Sequence, residues 1–309
     1  MANRITVVGS LNIDMVVTTP RLPVLGETIL GSGFMTTPGG KGANQAVAAA
    51  RLGGNVSMIG CTGDDIFGNS LLSNLAVNHV DIEHVKVIPS VSSGVAMIMV
   101  KDGDNSIIVD PGANFMLTPE MIDSAEEEIK RSDVVVIQLE IPLPAVERAV
   151  DLAKKHGAIV LLNPAPAREL PDVLLSRIDI FTPNESECET LTGMKADSIG
   201  AAKDAAVFLA SKGITHPIIT LGGSGAVYGN AGKIFHRPAP EVEVVDTTAA
   251  GDCFSAAVAL ALSRGKNIAE AVEFGNIAGA LTVTRKGAQA SLPTPSQIAA
   301  LEEKMKNKL

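Results

Sequence analysis

The sequence predicts an α/β protein in which a doubly wound, mostly parallel sheet is flanked by helices. Short apolar runs alternate with amphipathic segments through most of the 309 residues, and this alternation is typical of right-handed βαβ units. Apolar residues make up 46% of the chain, but aromatic residues only 3%. A core built from Val, Ile, Leu, Ala and Met suits helices that pack closely on a sheet.

The predicted elements follow one another along the chain. Strands of the main sheet are expected at residues 5–8, 55–59, 133–139, 158–162, 178–181, 217–221 and, as a β-branched run, 242–245. Helices are expected at residues 65–77, 145–156, 185–191, 201–212, 254–262 and 294–306. Ligands of such sheets bind beyond the carboxyl ends of the strands. The polar motifs that follow these strands are therefore the candidate functional residues.

Two segments interrupt the alternation and predict a small antiparallel β lid. Residues 15–19 and 28–36 predict short strands, and residues 94–100 and 106–110 predict a hairpin that turns at 102–104. The lid would then consist of insertions at about residues 13–37 and 91–110 in a single domain spanning 1–309. Because so small a sheet is marginal alone, we expect it to cover the site and to contact a second copy of the chain. An ordinary edge of the main sheet is the alternative.

Composition narrows the classes of partner. The net charge is -9 and the sequence pI is about 5.1, which argues against nucleic acid and anionic membranes. No apolar run approaches the roughly 18 residues of a membrane span, and the first residues lack the layout of a signal peptide. The three cysteines are far apart, without metal-ligand spacing. Reduced thiols and a cytoplasmic location are expected.

The most informative motif is Asp-Thr-Thr-Ala-Ala-Gly-Asp at residues 246–252. A strand is predicted to turn here into a helix, and the free amide groups of a helix start form an anion site. The small Ala249, Ala250 and Gly251 would let an anion reach the backbone. Asp252, in the first turn, could accept the proton of a hydroxyl that attacks a phosphoryl group. Alternatively, this carboxylate only stabilises the helix N-terminus.

A glycine-rich segment at residues 38–46 opens another helix. Gly40 would admit a ligand against bare backbone, and Lys41 and Asn44 offer donors to hydroxyls or phosphate. The segment is not a Walker A loop, because Gly42 stands where Ser or Thr must hold magnesium. Close packing of a helix start on a strand is the alternative.

Three polar residues follow or end apolar strands. Asn12 and Asp14 alternate with apolar residues and therefore share one face, which suits the binding of neighbouring sugar hydroxyls. Glu140 ends the strand at 133–139 and could complete a polyol pocket. Simple turn formation would also explain the first two.

The second half of the chain carries candidate nucleotide and cation residues. Asn184 and Glu187 lie one helical turn apart and could organise hydrated magnesium beside an anion site. The tight turn at residues 220–226 leaves room for phosphates or an adenine ring, although a plain hairpin turn is the alternative. Carbonyl groups at the end of the helix containing Asn276, together with Asp246, could hold a monovalent cation.

Taken together, these segments resemble the ribokinase family of carbohydrate kinases across nearly the whole chain. Residues 39–45 and 246–252 resemble its two signatures. The resemblance implies that Asp252 is the catalytic base beside an anion hole made by Ala249, Ala250 and Gly251. The implied sugar contacts are Asn12, Asp14, Gly40, Lys41, Asn44, Glu140 and Asp252.

The resemblance further implies ATP as co-substrate, with Mg²⁺ and K⁺. The implied ATP contacts are Asn184, Thr220, Gly222, Gly223, Ser224, Gly225, Gly251 and Asn276. Glu187 is tied to magnesium, and the implied potassium positions are Asp246, Thr248, Thr282, Arg285, Gly287 and Ser291. Close relatives often carry His at position 276. Asn276 departs from this pattern, and an asparagine has no ring to stack on the adenine.

The activity implied is ATP-dependent phosphorylation of the 5-hydroxyl of D-ribose to D-ribose 5-phosphate and ADP. The partners would be a small-molecule sugar and ATP, in a homodimer joined through the lid sheets. The alternatives are a 2-deoxyribose kinase, in which a residue less polar than Asn12 is expected, and another sugar or nucleoside kinase of the family. A sugar- or nucleotide-sensing protein that lost turnover is a further alternative from a different class.

Overall fold

The computed structural model describes residues 3–101 and 104–307, and these residues form two sheets with helices around them. In chain order the strands are β1 (Arg4–Val8), β2 (Asn12–Thr18), β3 (Ser32–Gly39), β4 (Asn55–Gly63), β5 (Val80–Ile88), β6 (Gly94–Lys101), β7 (Asp104–Asp110), β8 (Val134–Ile137), β9 (Ile159–Leu162), β10 (Ile180–Phe181), β11 (His216–Thr220), β12 (Ala226–Asn230) and β13 (Lys233–Arg237).

The helices pack against the sheets. They are α1 (Lys41–Arg51), α2 (Ile66–Val77), α3 (Pro119–Asp123), α4 (Glu126–Lys130), α5 (Leu143–His156), α6 (Asp172–Leu175), α7 (Glu185–Thr192), α8 (Ile199–Ser211), α9 (Ala250–Ser263), α10 (Ile268–Thr282), α11 (Ala288–Ser291) and α12 (Pro295–Lys306). Short 3₁₀ helices lie at Gly112–Met116 and Gly222–Ser224. None of the helices in the described part of the chain is long and apolar enough to cross a bilayer.

The main sheet has nine strands in the order β13-β12-β11-β10-β9-β8-β1-β4-β5. Neighbours from β11 to β5 pair in parallel, whereas β12 and β13 form an antiparallel edge. The chain leaves β1 for β4 on one side and later returns to β8 on the other. A crevice therefore opens beyond the carboxyl ends of β1 and β8, which is where ligands bind in doubly wound sheets. The predicted fold class is confirmed.

Alternate residues of each strand feed two separate apolar cores. Ile5 and Val7 of β1 pack with helices α1, α2, α9, α10 and α12 on one face. Val8, together with Val135 and Ile137 of β8, packs with α5, α8 and their neighbours on the other. This two-sided burial explains why the central strands are continuous apolar runs.

The predicted small sheet is confirmed as a separate four-stranded sheet in the order β3-β2-β6-β7. Its outer pairings are antiparallel, as expected, but the central pair of β2 and β6 runs parallel. The strand predicted at 28–36 begins only at Ser32, and residues 102–103 of the predicted turn lie outside the described residues. Only residues 9–11 separate β1 from β2, so the small sheet projects directly from the crevice.

The predicted strand at residues 242–245 is wrong. Val244 and Val245 are 62% and 48% exposed, and residues 238–249 form no strand. The N–H groups of Val245 and Asp246 instead donate to the carbonyl oxygen of Val283, just after α10, at 2.7 and 3.2 Å. Because this segment runs along a helix end, its β-branched residues have no strand edge to pair with.

Candidate active site

Asp252 lies at the start of α9 and is buried, with 7% of its surface exposed. Its Oδ2 accepts a hydrogen bond from Asn44 Nδ2 at 2.9 Å, and its Oδ1 accepts one from Gln45 Nε2 at 3.0 Å. Burial raises the pKa of Asp252 above its ordinary value, although the charge of Lys41 and the two amides oppose this rise. A buried carboxylate whose pKa lies above the ordinary range is suited to accept a proton.

The backbone before Asp252 forms an opening for an anion. Ala249 adopts a left-handed conformation with φ 61°, and this turn directs the chain into α9 although no strand precedes it. The first-turn N–H groups of Gly251 and Asp252 have no acceptor within the helix. Gly251 is exposed, and a side chain there would meet no atom within 4 Å. Amides without a helical acceptor beside an open surface at Gly251 are compatible with an anion site.

Residues of β2 and Glu140 form the opposite wall. Asn12 and Asp14 are buried and share one face of β2, because strand residues two apart point the same way. Glu140 Oε2 accepts from Ser10 Oγ at 2.5 Å, from the Lys41 backbone N–H at 3.2 Å and from Asn12 Nδ2 at 3.5 Å. Three donors therefore fix one carboxylate oxygen of Glu140 and leave its Oε1 for a ligand hydroxyl.

Charged groups from both walls act on one another across the crevice. Burial, followed by the charges of Glu140 and Asp252, raises the pKa of Asp14 from 3.8 to about 7, while Lys41 lowers it. Burial alone would lower the pKa of Lys41, but Asp252, Glu140 and two further carboxylates hold it above its ordinary value. Lys41 therefore stays protonated among carboxylates that repel one another.

Glycines bring the backbone close to these side chains. Gly40 has φ 86°, and a Cβ on it would lie 2.6 Å from the backbone nitrogen of Asn12. A Cβ on Gly39 would lie 2.3 Å from Asp14 Oδ2, and one on Gly94 would lie 2.1 Å from Asn12 Oδ1. Larger residues at these positions would displace the two polar side chains of β2.

Several buried polar residues of the crevice are not among the sequence-based candidates. Asn114 holds the bend between β1 and β2, because its side chain pairs with both the N–H and the carbonyl oxygen of Leu11 at 2.8 and 3.1 Å. Its Nδ2 also donates to Asn12 Oδ1 at 2.7 Å. Ser10, Gln45 and Gln289 also contact candidate residues, whereas Gln138 and Asn163 contact Gln45. Of these, Gln45 alone falls within a segment that resembles a family signature.

Asn184 and Glu187 are joined by a reciprocal capping interaction at the start of α7. Asn184 Oδ1 accepts from the Glu187 N–H at 2.8 Å, and Glu187 Oε2 accepts from the Asn184 N–H at 3.0 Å. Burial raises the pKa of Glu187, and Lys41 acts on it from the other side of the crevice. Only one oxygen of Glu187 is used by the cap, so its Oε1 could still contact hydrated magnesium, which uses few protein ligands.

The glycine-rich turn after β11 leaves open space beside α7 and α10. Residue Thr220 is bridged to Asn184, and side chains on Gly222 or Gly223 would meet no atom within 4 Å. Asn276 Nδ2 donates to the backbone carbonyl oxygens of residues 237 and 238 at 3.0 and 3.3 Å. The amide nitrogen of Asn276 is thus already paired, and its Oδ1 is the atom left for a nucleotide.

The predicted potassium residues lie in the loop before α9 and in the segment from the end of α10 to α11, and Asp246 joins the two. Its Oδ1 accepts from Thr248 N and Oγ1 at 2.9 and 2.6 Å, and its Oδ2 accepts from Gly287 N at 2.8 Å. These bonds outweigh burial and lower the pKa of Asp246. Thr282 ends α10, Arg285 follows in the loop, and Ser291 ends α11.

The described residues contain no group of three or more His, Cys, Asp or Glu arranged to hold a metal ion. A cation in this site would therefore depend on carbonyl oxygens, as in the loops around Asp246, or on the phosphates of a bound nucleotide, as at Glu187. Both sets of residues are compatible with such binding, and both assignments stay predictions.

The chain resembles known proteins over nearly its whole length. The pfkB family carbohydrate kinase profile matches residues 2–295. The chain belongs to this family. The structure is similar to the solved structure of Arabidopsis thaliana ribokinase complexed with ribose and ATP. The two chains are 35% identical and align with a TM-score of 0.90 over 97% of this chain and 99% of that one.

Curated pfkB-family relatives cover nearly the whole chain. The ribokinase of Haemophilus influenzae is 45% identical over 296 residues, covering 95% of this chain and 96% of its own length. The deoxyribokinase of Salmonella typhi is 41% identical over 295 residues, with coverage of 95% and 96%. The chain is therefore similar to enzymes named for two different pentoses.

Proposed function

We propose that this pfkB-family chain transfers a phosphoryl group from ATP to the 5-hydroxyl of D-ribose, giving D-ribose 5-phosphate and ADP. The observation that carries the proposal is the position of Asp252. Its carboxylate is held by two amides, lies in the turn with free backbone N–H groups, and interacts with the charges of Lys41 and Glu140. The likeness to ribokinases over the full chain supports ribose as the sugar.

In the proposed mechanism the sugar is held by Asn12, Asp14, Lys41 and Glu140, with its 5-hydroxyl toward Asp252. Phosphoryl transfer depends mainly on positioning and on stabilisation of charge. Asp252 accepts the hydroxyl proton as the new oxygen–phosphorus bond forms, and the amide groups at Gly251 stabilise the charge on the transferring group. The small sheet closes over the site and excludes water, which would otherwise hydrolyse ATP.

The nucleotide would lie along the ends of β10 and β11, with its phosphates toward the α9 amides. Its predicted contacts are Asn184, Thr220, Gly222, Gly223, Ser224, Gly225, Gly251 and Asn276. Mg²⁺ would neutralise charge on the ATP phosphates, and Glu187 Oε1 is the protein oxygen available nearby. A potassium ion among Asp246, Thr248, Thr282, Arg285, Gly287 and Ser291 would stabilise the loop that leads into the anion site.

We favour ribose over 2-deoxyribose because of the orientation of Asn12. Asn114 donates to Asn12 Oδ1, so the Asn12 Nδ2 group is the one directed to Glu140 and the crevice. A sugar without the matching hydroxyl would leave the second N–H of this buried amide unpaired, which costs about 1–3 kcal/mol.

The preference can be measured as a ratio of specificity constants. We expect kcat/KM for ribose to exceed that for 2-deoxyribose by about tenfold or more, since polar sites reject analogues that lack a paired hydroxyl. Asn12→Leu should reduce this ratio mainly by lowering kcat/KM for ribose. Equal constants for the two sugars in the wild-type protein would favour the deoxyribokinase alternative.

A panel of pentoses and hexoses with ATP tests the function itself. We expect ADP formation that depends on ribose, with one phosphorylated sugar per ADP and the phosphate on the terminal carbon by NMR. A sensing protein would bind ribose or ATP without producing ADP. Ribose binding with no sugar-dependent ADP would therefore overturn the kinase proposal.

We also propose a homodimer formed through the small sheets, in the cytoplasm. Exposed apolar side chains on the small sheet support the dimer, among them Phe34, Met35, Met97, Ile107 and Ile108. All three cysteines are buried and unpaired, in keeping with the expected reduced thiols.

A further inference from the structure

Gln45 is a fully buried residue of α1 whose hydrogen-bonding groups are all in use. Its Nε2 donates to Asp252 Oδ1 at 3.0 Å and to Asn163 Oδ1 at 3.1 Å. Its Oε1 accepts from Gln138 Nε2 at 2.6 Å. With both amide protons committed and no exposed surface, Gln45 can influence a reaction in the crevice only through Asp252.

Gln138 follows β8 and is also fully buried. It donates to Gln45, but its own Oε1 has no hydrogen-bond partner. A Cβ on Gly9 would lie 1.9 Å from that oxygen, so the amide of Gln138 is packed against bare backbone. Buried polar atoms are rarely left unpaired because desolvation is costly. The arrangement needs a compensating reason.

The charge of Asp252 supplies the reason. A carboxylate accepts but cannot donate, so the side chain beside Asp252 Oδ1 must present its N–H groups. Gln45 then directs its carbonyl oxygen away, and Gln138 must donate to that oxygen. The Asp252 carboxylate thus determines which way each amide donates, from Gln138 to Gln45 and from Gln45 to Asp252. The Oε1 atom of Gln138, at the far end, is left without a donor.

The second oxygen of Asp252 is held in the same way. Asn44 Nδ2 donates to it, and Asn44 Oδ1 accepts from Gln289 Nε2 at 3.1 Å. Gln289 Oε1 accepts in turn from Asn74 Nδ2 at 2.6 Å. Each oxygen of Asp252 is thus bound by an inner amide, Asn44 or Gln45. The orientation of each inner amide is fixed by an outer glutamine, Gln289 or Gln138. The Gln45 side differs in that its inner amide has no contact left for a ligand.

We propose that Gln45 and Gln138 are positioning residues for the phosphoryl transfer, which hold the Asp252 carboxylate in one orientation and favour its ionised form. This inference rests on the proposed kinase function. Hydrogen bonds to the charged form of a carboxyl lower its pKa, whereas burial raises it. The two glutamines therefore act against the burial of Asp252 and keep the base ionised at a lower pH than it would otherwise be.

The test uses three glutamine-to-methionine variants of similar side-chain size. Gln45→Met removes the inner amide, and Gln138→Met removes the outer donor. Gln297→Met is the matched control, because Gln297 caps α12 at Thr294 rather than contacting the Asp252 network. For each, kcat, KM for ribose and the thermal unfolding midpoint are measured with ATP over a range from about pH 5 to 9.

We expect Gln45→Met to lower kcat at neutral pH by about tenfold or more, a fraction of the effect of losing a base altogether. Its KM for ribose should change by less than about threefold, because Gln45 does not contact the sugar. The acid limb of its kcat profile should move to higher pH by about half a unit to one unit. Gln138→Met should shift the limb in the same direction by less, and Gln297→Met should leave it unchanged.

A merely structural role would lower the unfolding midpoint without moving the pH profile. Folded Gln45→Met and Gln138→Met proteins with a wild-type acid limb would therefore overturn this inference while leaving the proposed function intact. If Gln45→Met does not fold, Gln138→Met alone decides between the outcomes. A wild-type protein with no ribose-dependent ADP formation would overturn the proposed function, and this inference with it.

Discussion

Carboxylates crowded into one crevice determine how the site responds to pH. In this crevice the charges of Glu140 and Asp252 raise the pKa of Asp14, and the charge of Lys41 lowers it. Burial and this repulsion place the pKa of Asp14 at about 7. Asp14 therefore changes charge within the pH range where enzymes are usually assayed.

We predict that ribose binding weakens as the pH falls through 7. A carboxylate of pKa about 7 loses roughly tenfold of its ionised fraction between pH 8 and 6, and its ability to accept two hydroxyl protons falls with it. The dissociation constant of ribose, measured by calorimetry without ATP, should rise by up to about tenfold over that range.

Asp14→Asn supplies the control, because an amide cannot titrate. This variant should bind ribose more weakly than the wild-type protein at pH 8 and should show little change between pH 8 and 6. A pH dependence that persists unchanged in Asp14→Asn would assign the titration to another carboxylate of the crevice.

The small sheet is joined to the main body at the bend between β1 and β2. Asn114, in the 3₁₀ helix after β7, pairs with the backbone of Leu11 in that bend and with the side chain of Asn12. One side chain therefore connects the segment after the last strand of the small sheet to Asn12, the first candidate sugar-binding residue. The orientation of the Asn12 amide therefore depends on Asn114, which also attaches the small sheet to the main body.

Asn114→Ala should lower the free energy of unfolding by about 2–4 kcal/mol, because it leaves the buried N–H and carbonyl groups of Leu11 unpaired. It should also relax the discrimination between ribose and 2-deoxyribose, since the amide of Asn12 is then free to turn. Asn105→Ala, at an exposed asparagine of β7, is the control. Unchanged stability and sugar preference in Asn114→Ala would refute the role given to this side chain.

The sequence predicted elements where local pattern and tertiary structure agree. The buried strands β1, β8, β9 and β11 were evident as apolar runs, and the start of α9 was evident from its small residues. Patterns fail where the sheet edge decides the outcome. The valine-rich segment 242–245 was predicted as a strand but forms none. β5, at the edge of the main sheet, was not predicted, because it mixes charged and apolar residues. Three of its nine positions are intermediate in burial and only two are buried.

The side-chain network of the site could not be read from the sequence. Gln45 and Asp252 are 207 positions apart, and Asn12 and Asn114 are 102 apart. Their contacts depend on how α1 packs against α9 and on where the small sheet rejoins the body. Motifs identify such residues singly, but only the packed helices determine which amide faces which carboxylate.

Across the whole molecule, the doubly wound sheet brings the candidate sugar and nucleotide residues to the ends of its parallel strands. The candidate sugar residues lie on β2 and at the start of α1 and follow β8, and most of the candidate nucleotide residues follow β10 and β11. The small sheet projects from these strand ends with apolar side chains exposed, including Met97 at 57% and Ile108 at 62%. These two residues are paired neighbours on β6 and β7, so they form a continuous apolar surface.

We predict that the wild-type protein has twice the 31.9 kDa mass of one chain in light scattering after gel filtration. Ile108→Asp should yield monomers, because a charge buried between apolar sheets is strongly unfavourable. Val207→Asp, at an exposed apolar position of α8, is the control and should remain dimeric. A monomeric wild-type protein, or a dimeric Ile108→Asp variant, would contradict assembly through this surface.

The turnover of Asp252→Asn tests the central claim most directly. The asparagine keeps the size of the side chain but cannot accept the hydroxyl proton, so kcat with ribose and ATP should fall by about 10²–10⁴. The purified variant should remain folded and bind ATP, although its unfolding midpoint should fall, because an NH₂ group replaces one of the two oxygens that accept from Asn44 and Gln45. Turnover near the wild-type rate in this variant would show that Asp252 is not the base.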